Sequence, residues 1–217
     1  MKIHKALIIL LIAMTLTACA SDRFAVDTLP WIGDEPVLFK DSFTSTTGGW
    51  FTYQDEQLYS GYSQGGFRLR SNVKNYQFWS VPGLNFKDTV VFTRAIKLGG
   101  PDDNLFGVLC RYQDDSNYYA LVISSDGYYG IFRTLNGEQT LINQQNMDFS
   151  ESIYSGEMLN EIQAVCQAEE LTLIVNGVQL LQVQDGSLTN GDVGLVVGNF
   201  LEPGVDILFD DFIIASP

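Results

Sequence analysis

Histidine is almost absent from this sequence, because the only one, His4, lies in an N-terminal segment with the features of a secretory signal peptide. That segment has a basic start (residues 1–5), a short apolar stretch (residues 6–16) and small residues before a cut site. Its removal leaves no histidine, which excludes a Ser-His-Asp triad, a Cys-His nucleophile and a histidine-ligated zinc or iron site. Acid–base chemistry would then depend on carboxylates, tyrosine or lysine.

Basic residues are scarce as well. Lys and Arg number 12 against 26 Asp and Glu, which makes the formal net charge −14. Nucleic acids are bound through clusters of Lys and Arg, so a nucleic-acid partner is not expected. An anionic membrane surface would also repel the chain, so any membrane attachment must come from something other than a basic patch.

The apolar stretch is also too short to cross a bilayer, which takes about 20 residues. It ends in Leu16-Thr17-Ala18-Cys19, which resembles the lipobox of bacterial lipoproteins. The resemblance implies cleavage before Cys19, lipidation of Cys19 and an extracytoplasmic, membrane-anchored location at the cell surface or the periplasmic face. We therefore expect a signal peptide over residues 1–18, a lipidated N-terminus and tether over 19–36, and one domain over 37–217. A plain secretory signal with an incidental cysteine is the alternative.

Two further cysteines, Cys110 and Cys166, remain in the expected mature chain. An extracytoplasmic compartment is oxidising, and an even pair of cysteines there predicts a disulfide. Alternation places each cysteine on the more apolar side of its predicted strand. Two buried free thiols are the alternative.

The domain has no sustained helical period, and nearly all of it is typical of β-strands. Runs rich in Val, Ile, Phe, Tyr and Leu are separated by clusters of Gly, Asn, Asp and Ser. Hairpin turns are predicted at residues 125–127, 135–137 and 175–177, because Asp-Gly and Asn-Gly accept the positive φ of tight turns. The predicted strands are Val37–Phe43, Gly66–Arg70, Thr89–Ile96, Leu105–Tyr112, Tyr118–Ser124, Tyr129–Arg133, Glu161–Cys166, Leu171–Val175, Val178–Val183, Gly194–Gly198 and Asp206–Ile214. Short strands at this spacing predict a sandwich or a barrel.

The order of motifs along the domain resembles one superfamily. A strand followed by Asn-Gly (residues 171–177) precedes Gly-Asp-Val-Gly-Leu (191–195) and Asp-Asp-Phe (210–212). With residues 106–112, these resemble the concanavalin A-like lectin/glucanase superfamily in its laminin-G-like and family 16-like bacterial forms. The resemblance covers about residues 37–216 and implies an all-β fold, a two-sheet antiparallel β-sandwich or jelly roll with one concave face. That superfamily includes lectins, glycosidases and adhesion modules, so function has to be argued from the site.

Glycosidases of this superfamily carry two catalytic carboxylates on one strand at a spacing of two. That spacing places both side chains on one face, about 7 Å apart. No Asp or Glu pair in the sequence has it. The nearest same-face pair, Asp206 and Asp210, would be roughly 13 Å apart on a straight strand. We therefore expect a non-catalytic protein, with carboxylates converging from different strands as the alternative.

Aromatic and arginine side chains are the materials of a carbohydrate site, because rings stack on apolar sugar faces and polar groups fix the orientation. The candidate carbohydrate-binding residues are Arg111, Tyr129, Arg133, Tyr119 and Trp79. Packing in the core is the alternative for the aromatic residues, and ion pairing with exposed carboxylates is the alternative for the arginines.

Calcium is the one cofactor that the acidic residues suggest, because paired aspartates are hard oxygen ligands. Relatives of the resembled fold hold a structural calcium near the sheet edge, which makes Asp41 and Asp210 the candidate ligands. Solvated loop charge is the alternative.

The sequence thus predicts a non-catalytic envelope lipoprotein whose β-sandwich binds a ligand, with carbohydrate as the favoured ligand class. The alternatives are a structural or protein-interaction domain of the cell envelope, and a glycoside hydrolase-like enzyme with non-standard carboxylates. The expected partners are the membrane, through the N-terminal lipid, and a glycan or an envelope protein.

Overall fold

The computed structural model describes residues 36–142 and 145–217. Within these ranges the chain consists of strands, turns and loops, and no helix there could cross a membrane. The strands are β1 (Val37–Asp41), β2 (Tyr53–Gln54), β3 (Leu58–Ser63), β4 (Gly66–Ser71), β5 (Tyr76–Ser80), β6 (Thr89–Gly99), β7 (Asn104–Asp114), β8 (Asn117–Ile123), β9 (Tyr128–Leu135), β10 (Glu138–Leu141), β11 (Asp148–Phe149), β12 (Asn160–Gln167), β13 (Glu170–Val175), β14 (Val178–Gln184), β15 (Asp192–Asn199) and β16 (Val205–Ala215).

The strands form two antiparallel sheets. The nine-stranded sheet has the order β14-β13-β12-β6-β16-β4-β3-β2, with β1 paired to β16. The seven-stranded sheet has the order β10-β9-β8-β7-β15-β5, with β11 paired to β9. The two sheets enclose the main core, which confirms the predicted all-β, two-sheet antiparallel sandwich. Cys19 and the signal peptide lie outside the described residues.

The predicted hairpin turns join neighbouring strands. Asn136 and Gly137, between β9 and β10, have φ of 53° and 81°. Asn176 and Gly177, between β13 and β14, have φ of 50° and 80°. Positive φ at both central residues gives a turn whose twist matches the flanking strands. The turn at residues 125–127 joins β8 to β9.

A disulfide joins the two sheets through the main core. Cys110 on β7 and Cys166 on β12 are fully buried, with a sulfur–sulfur distance of 1.99 Å and a Cα–Cα distance of 6.8 Å. This confirms the predicted pairing. It also confirms that both cysteines face the apolar side of their strands.

A second apolar cluster lies on the other face of the seven-stranded sheet, away from the main core. Leu105 and Leu109 alternate along β7 with the inward-pointing Phe106, Val108 and Cys110, so they point outward. The buried members of this outer cluster are Leu105, Leu109, Tyr118, Ala120, Val122 and Val196. An outer sheet face stays buried only when other groups cover it, and here the cover comes from Trp79, Val81, Tyr112, Phe132, Met147 and Phe200.

Candidate functional site

The outer face of the seven-stranded sheet is concave. Gln77 on β5 and Gln139 on β10 belong to strands at opposite ends of the strand order. Their side-chain amides nevertheless exchange two hydrogen bonds, with nitrogen–oxygen distances of 3.0 and 3.1 Å. Five steps of about 4.8 Å separate the two strands along the sheet, a span that two glutamine side chains cannot cover. The sheet therefore curls and twists until these strands approach each other over its outer face.

Three aromatic rings meet over the floor of this concave face. Trp79 of β5 lies 5.4 Å from Tyr118 of β8 and 6.2 Å from Tyr112 of β7, measured between ring centroids. The two tyrosine rings are 6.1 Å apart. Beneath the rings, Gly194 lets β15 and β5 approach each other closely. A Cβ at this position would lie 2.4 Å from the carbonyl oxygen of Ser80 on β5.

A cleft of about 530 Å³ opens beside these rings. We call it the aromatic cleft, and it is lined by Phe51, Tyr53, Leu58, Tyr76, Phe78, Trp79, Val81, Tyr112 and Asp115. Phe51, Tyr53 and Tyr76 are 52%, 41% and 41% exposed. Phe51 and Tyr53 stack with their planes 13° apart. Exposed rings gathered in one concavity are typical of a ligand site. In a protein without a ligand to cover them, such large apolar side chains are normally buried.

A second cavity of about 420 Å³ continues from the cleft across the concave face. The two share Tyr76, Trp79 and Asp115. The second cavity is more polar at its far side, where Gln77 and Gln139 form the amide pair described above. The concave face thus offers a continuous path of rings and amides.

Asp115 is the acidic group of the cleft. Its Oδ1 accepts a hydrogen bond of 2.5 Å from the Tyr112 hydroxyl. Burial, the hydrogen bond to Asp115 and the negative charges of Asp115 and Asp114 raise the pKa of Tyr112 to about 12, against an opposing effect of Trp79. Asp114 shapes the turn between β7 and β8, since its carboxylate accepts the Ser116 N–H at 2.8 Å. Tyr112 is therefore a hydrogen-bond donor at any physiological pH, held in place by a carboxylate.

Of the residues predicted to bind carbohydrate, Trp79 lies in the cleft and Arg111 does not. Arg111 is 2% exposed and has φ of 52° at a bulge in β7. Its guanidinium group donates hydrogen bonds to the carbonyl oxygens of Leu188 (2.8 Å), Ala168 (2.7 Å) and Lys87 (3.3 Å). Because Cys110 faces the core, strict alternation along β7 predicts that the next residue, Arg111, points outward. The structure corrects that prediction, and with it the candidate role of Arg111 in carbohydrate binding.

The other three predicted residues also lie on the inner side of the sheet. Tyr119 is fully buried, and its hydroxyl donates to the Asp185 carboxylate at 2.6 Å. Arg133 forms an ion pair with the same carboxylate at 2.7 Å. Tyr129 shares the face of Arg133 and packs, half-buried, against the main core. Their role in this structure is therefore in packing and in anchoring Asp185, and the candidate site does not include them.

Residues that the sequence did not single out as ligands complete the cleft. Tyr53 and Tyr112 were recognisable as aromatics, and Asp115 belongs to one of the aspartate pairs considered for calcium, but Phe51 and Tyr76 carried no signal of their own. The alternation of β8 separates Tyr118, which faces outward, from the adjacent Tyr119, which faces inward. That alternation was the one local signal that could have distinguished the two.

Asp185 provides a test of the inward assignment. Burial acts to raise the pKa of its carboxyl group, but hydrogen bonds from Tyr119 and Ser187 and the charge of Arg133 outweigh burial and hold that pKa below its usual value. A lowered pKa means that this stabilisation is complete above the pKa of the unfolded chain, and is lost as the pH falls through the folded value. We expect Asp185→Asn to lower the free energy of unfolding at pH 7 by about 1–3 kcal/mol.

Thermal unfolding at pH 7 and pH 3 checks this, because the difference between the variant and the original protein should shrink at pH 3. Glu138→Gln, an exposed carboxylate on β10, is the matched control and should change little. Equal melting temperatures for Asp185→Asn and the original protein at pH 7 would contradict the assignment.

The two candidate calcium ligands have different surroundings. Asp41 accepts hydrogen bonds from the Phe43 N–H at 2.7 Å and from Trp50 Nε1 at 3.0 Å, one on each carboxylate oxygen. The Asp210 carboxylate accepts the N–H of Asp211 at 2.8 Å. In residues 36–142 and 145–217, no three His, Cys, Asp or Glu side chains gather as metal ligands. Calcium binding stays a prediction.

The sequence matches no protein-family model and no curated protein. Solved structures share the fold. A carbohydrate-binding module, CBM66 from Bacillus subtilis, superposes with a TM-score of 0.62 at 13% identity over 77% of this chain and 96% of that one. A Bacillus subtilis protein of unknown function with a galectin-like fold gives 0.63 at 13% identity, over 84% and 97%.

The GH43 BlXynB protein from Bacillus licheniformis also shares the fold, with a TM-score of 0.62 at 14% identity over 82% of this chain. The match covers 39% of that longer protein. Identities this low show that the β-sandwich is shared and carry no residue-level assignment. The function has to be argued from the aromatic cleft itself.

Proposed function

We propose that this protein is a non-catalytic, extracytoplasmic lipoprotein whose β-sandwich binds carbohydrate in the aromatic cleft. The observation that carries the proposal is the set of exposed rings, Phe51, Tyr53 and Tyr76, gathered with Trp79 around one cleft. Flat rings match the apolar faces of pyranose sugars, and the cleft is large enough for one or two of them.

Hydrogen-bonding groups stand beside the rings, as a sugar site requires. Asp115 and Tyr112, whose hydroxyl donates to the Asp115 carboxylate, line the cleft, and Gln77 and Gln139 line the adjoining cavity. Carboxylates and amides accept and donate to sugar hydroxyl groups with defined directions. The same fold in a carbohydrate-binding module supports the proposal without identifying a sugar.

The anchored location belongs to the proposal as well. The lipobox-like residues around Cys19 support lipidation, and the disulfide between Cys110 and Cys166 is of a kind common outside the cytoplasm. Membership of the concanavalin A-like superfamily is likewise proposed, on the motifs described above.

Binding of the purified protein to an array of immobilised oligosaccharides tests the proposal. A hit is then titrated in solution by tryptophan fluorescence. Of the three tryptophans, Trp79 lines the cleft, Trp50 is 5% exposed in the core, and Trp31 lies outside the described residues, so titration of Trp79→Phe shows which part of the signal comes from the cleft. We expect at least one glycan to bind and to change the emission. Absence of binding across the array would overturn the proposal in favour of a structural or protein-interaction domain.

A hydrolase is the second candidate, and one observation favours it. Asp103 and Asp126 line a separate cavity of about 380 Å³, and burial, followed by the charges of Asp126 and Glu202, raises the pKa of Asp103. A carboxyl group with a raised pKa beside a second carboxylate is an arrangement that general acid catalysis uses. Release of shorter sugars from any array hit during long incubation would support this candidate over simple binding.

A further inference from the structure

We infer that the aromatic cleft accepts sugars that are neutral or carry an amino group, and rejects sugars that carry a carboxylate or a sulfate. The inference rests on the proposed function, because it names the class of glycan that the same cleft takes.

The cleft has an acid and no base. Among the described residues that line the cleft and the adjoining cavity, Asp115 alone is charged. Asp55 adds negative charge at the rim, since it accepts the Tyr53 hydroxyl at 2.9 Å. Lys74 precedes the lining residue Asn75 in the chain but lines neither cavity. An anionic sugar would therefore meet carboxylates without a compensating cation.

The arginines of the seven-stranded sheet cannot supply that cation. Arg111 is buried and bonded to backbone carbonyl oxygens, and Arg133 is paired with Asp185 on the inner side of the sheet. Proteins that bind carboxylates, sulfates or phosphates usually do so with Arg or Lys in direct contact. This sheet directs both of its candidate arginines away from the concave face.

Asp115 also has an oxygen available for a ligand. Its Oδ1 accepts the Tyr112 hydroxyl, whereas its Oδ2 has no hydrogen-bond partner within the described part of the chain. An ionised carboxylate accepts hydrogen bonds and donates none. A sugar hydroxyl or ammonium group can donate to it, but a second carboxylate or a sulfate cannot. Asp115 is therefore the specificity-determining residue of the proposed site.

The expected discrimination is about tenfold or more. A ligand charge held a few ångströms from Asp115 lies well inside the screening distance of about 8 Å at physiological salt, so most of the interaction persists. Even at high effective dielectric, two charges at that separation interact strongly enough to change affinity by roughly a factor of ten.

The test is a comparison of glycans in three charge classes on the purified protein. The neutral class contains cello-, xylo-, galacto- and N-acetylchito-oligosaccharides, the amino class contains chitosan oligosaccharides, and the acidic class contains oligogalacturonate and dextran sulfate. We expect binding in the first two classes and at least about tenfold weaker binding in the third. Acidic glycans that bind as tightly as neutral ones would overturn the inference and leave carbohydrate binding intact. Absence of binding in every class would instead overturn the proposed function.

The variant Asp115→Asn isolates the charge. The substitution should weaken the binding of a neutral or amino glycan. It should also reduce the ratio of the affinity for neutral glycans to the affinity for acidic glycans by about tenfold. Glu138→Gln removes a negative charge from strand β10 at a residue that lines neither cavity, and should leave the ratio of neutral to acidic affinities unchanged. If Asp115→Asn fails to fold, the salt dependence of the original protein decides: affinity for acidic glycans should rise with salt, and a fall would refute the inference.

Discussion

The double variant Cys110→Ala, Cys166→Ala is expected to melt roughly 8–16 °C below the original protein. The disulfide closes a loop with a sequence separation of 56 residues, which in the chain-entropy model stabilises the folded state by about 4 kcal/mol. A domain of this size loses about 2–4 °C of melting temperature for each kcal/mol. Both alanines would also leave a cavity in a fully buried part of the core, which adds to the loss.

The position of the disulfide in the fold is a second reason, beside loop length, to expect a large loss of melting temperature. Cys110 lies on β7 of one sheet and Cys166 on β12 of the other, so the bond holds the sheets together through the main core. Arg111, the next residue after Cys110, donates hydrogen bonds to the loops that flank β14 and β12. Loss of the bond therefore loosens several long-range contacts at one end of the sandwich.

Differential scanning calorimetry of the original protein, with and without reductant, gives the control. The reduced protein should approach the double variant, and the double variant should not respond to reductant. Two results would show that this bond does not stabilise the fold. One is labelling of either thiol in the unreduced protein, and the other is a double variant with an unchanged melting temperature.

The sequence was sufficient for the fold because local rules and tertiary structure agree there. Alternation along β7 and β12 put both cysteines on the apolar sides of these strands, as the structure has them. The Asn-Gly sequences at residues 136–137 and 176–177 predicted hairpin turns, and both turns are present. Strands β3 and β5 were missed because Leu58–Ser63 and Tyr76–Ser80 are polar and aromatic rather than aliphatic. Their pairing is decided by neighbours distant in the chain, and a single run of residues does not show it.

The site was harder to predict because two of its determinants are not periodic. A bulge in β7 between Cys110 and Asp114 turns Arg111 into the interior, although strict alternation puts it outside. The curl of the seven-stranded sheet brings Gln77 and Gln139 together from opposite edge strands. Neither the bulge nor the curl has a signature in the order of residue types. Trp79 was found from its residue type alone, because a large aromatic ring is a common element of carbohydrate sites.

Trp79→Ala is expected to weaken glycan binding by roughly 30-fold or more, the second large effect. Trp79 lines both the aromatic cleft and the adjoining cavity, and it packs against the Tyr112 and Tyr118 rings. Truncation of a central aromatic residue in a binding site typically costs about 2 kcal/mol or more, which corresponds to that loss of affinity. Trp79→Phe keeps a flat apolar face and should lose far less.

Isothermal titration calorimetry with the tightest hit from the array measures these affinities, and the melting temperature of each variant separates loss of binding from loss of fold. Tyr154→Ala is the matched control, because Tyr154 is 50% exposed and lines neither cavity of the concave face. A folded Trp79→Ala protein that binds as tightly as Tyr154→Ala would place the sugar elsewhere on the molecule. A selective loss in Trp79→Ala would instead locate binding on the concave face, where the curl of the sheet brings these rings together.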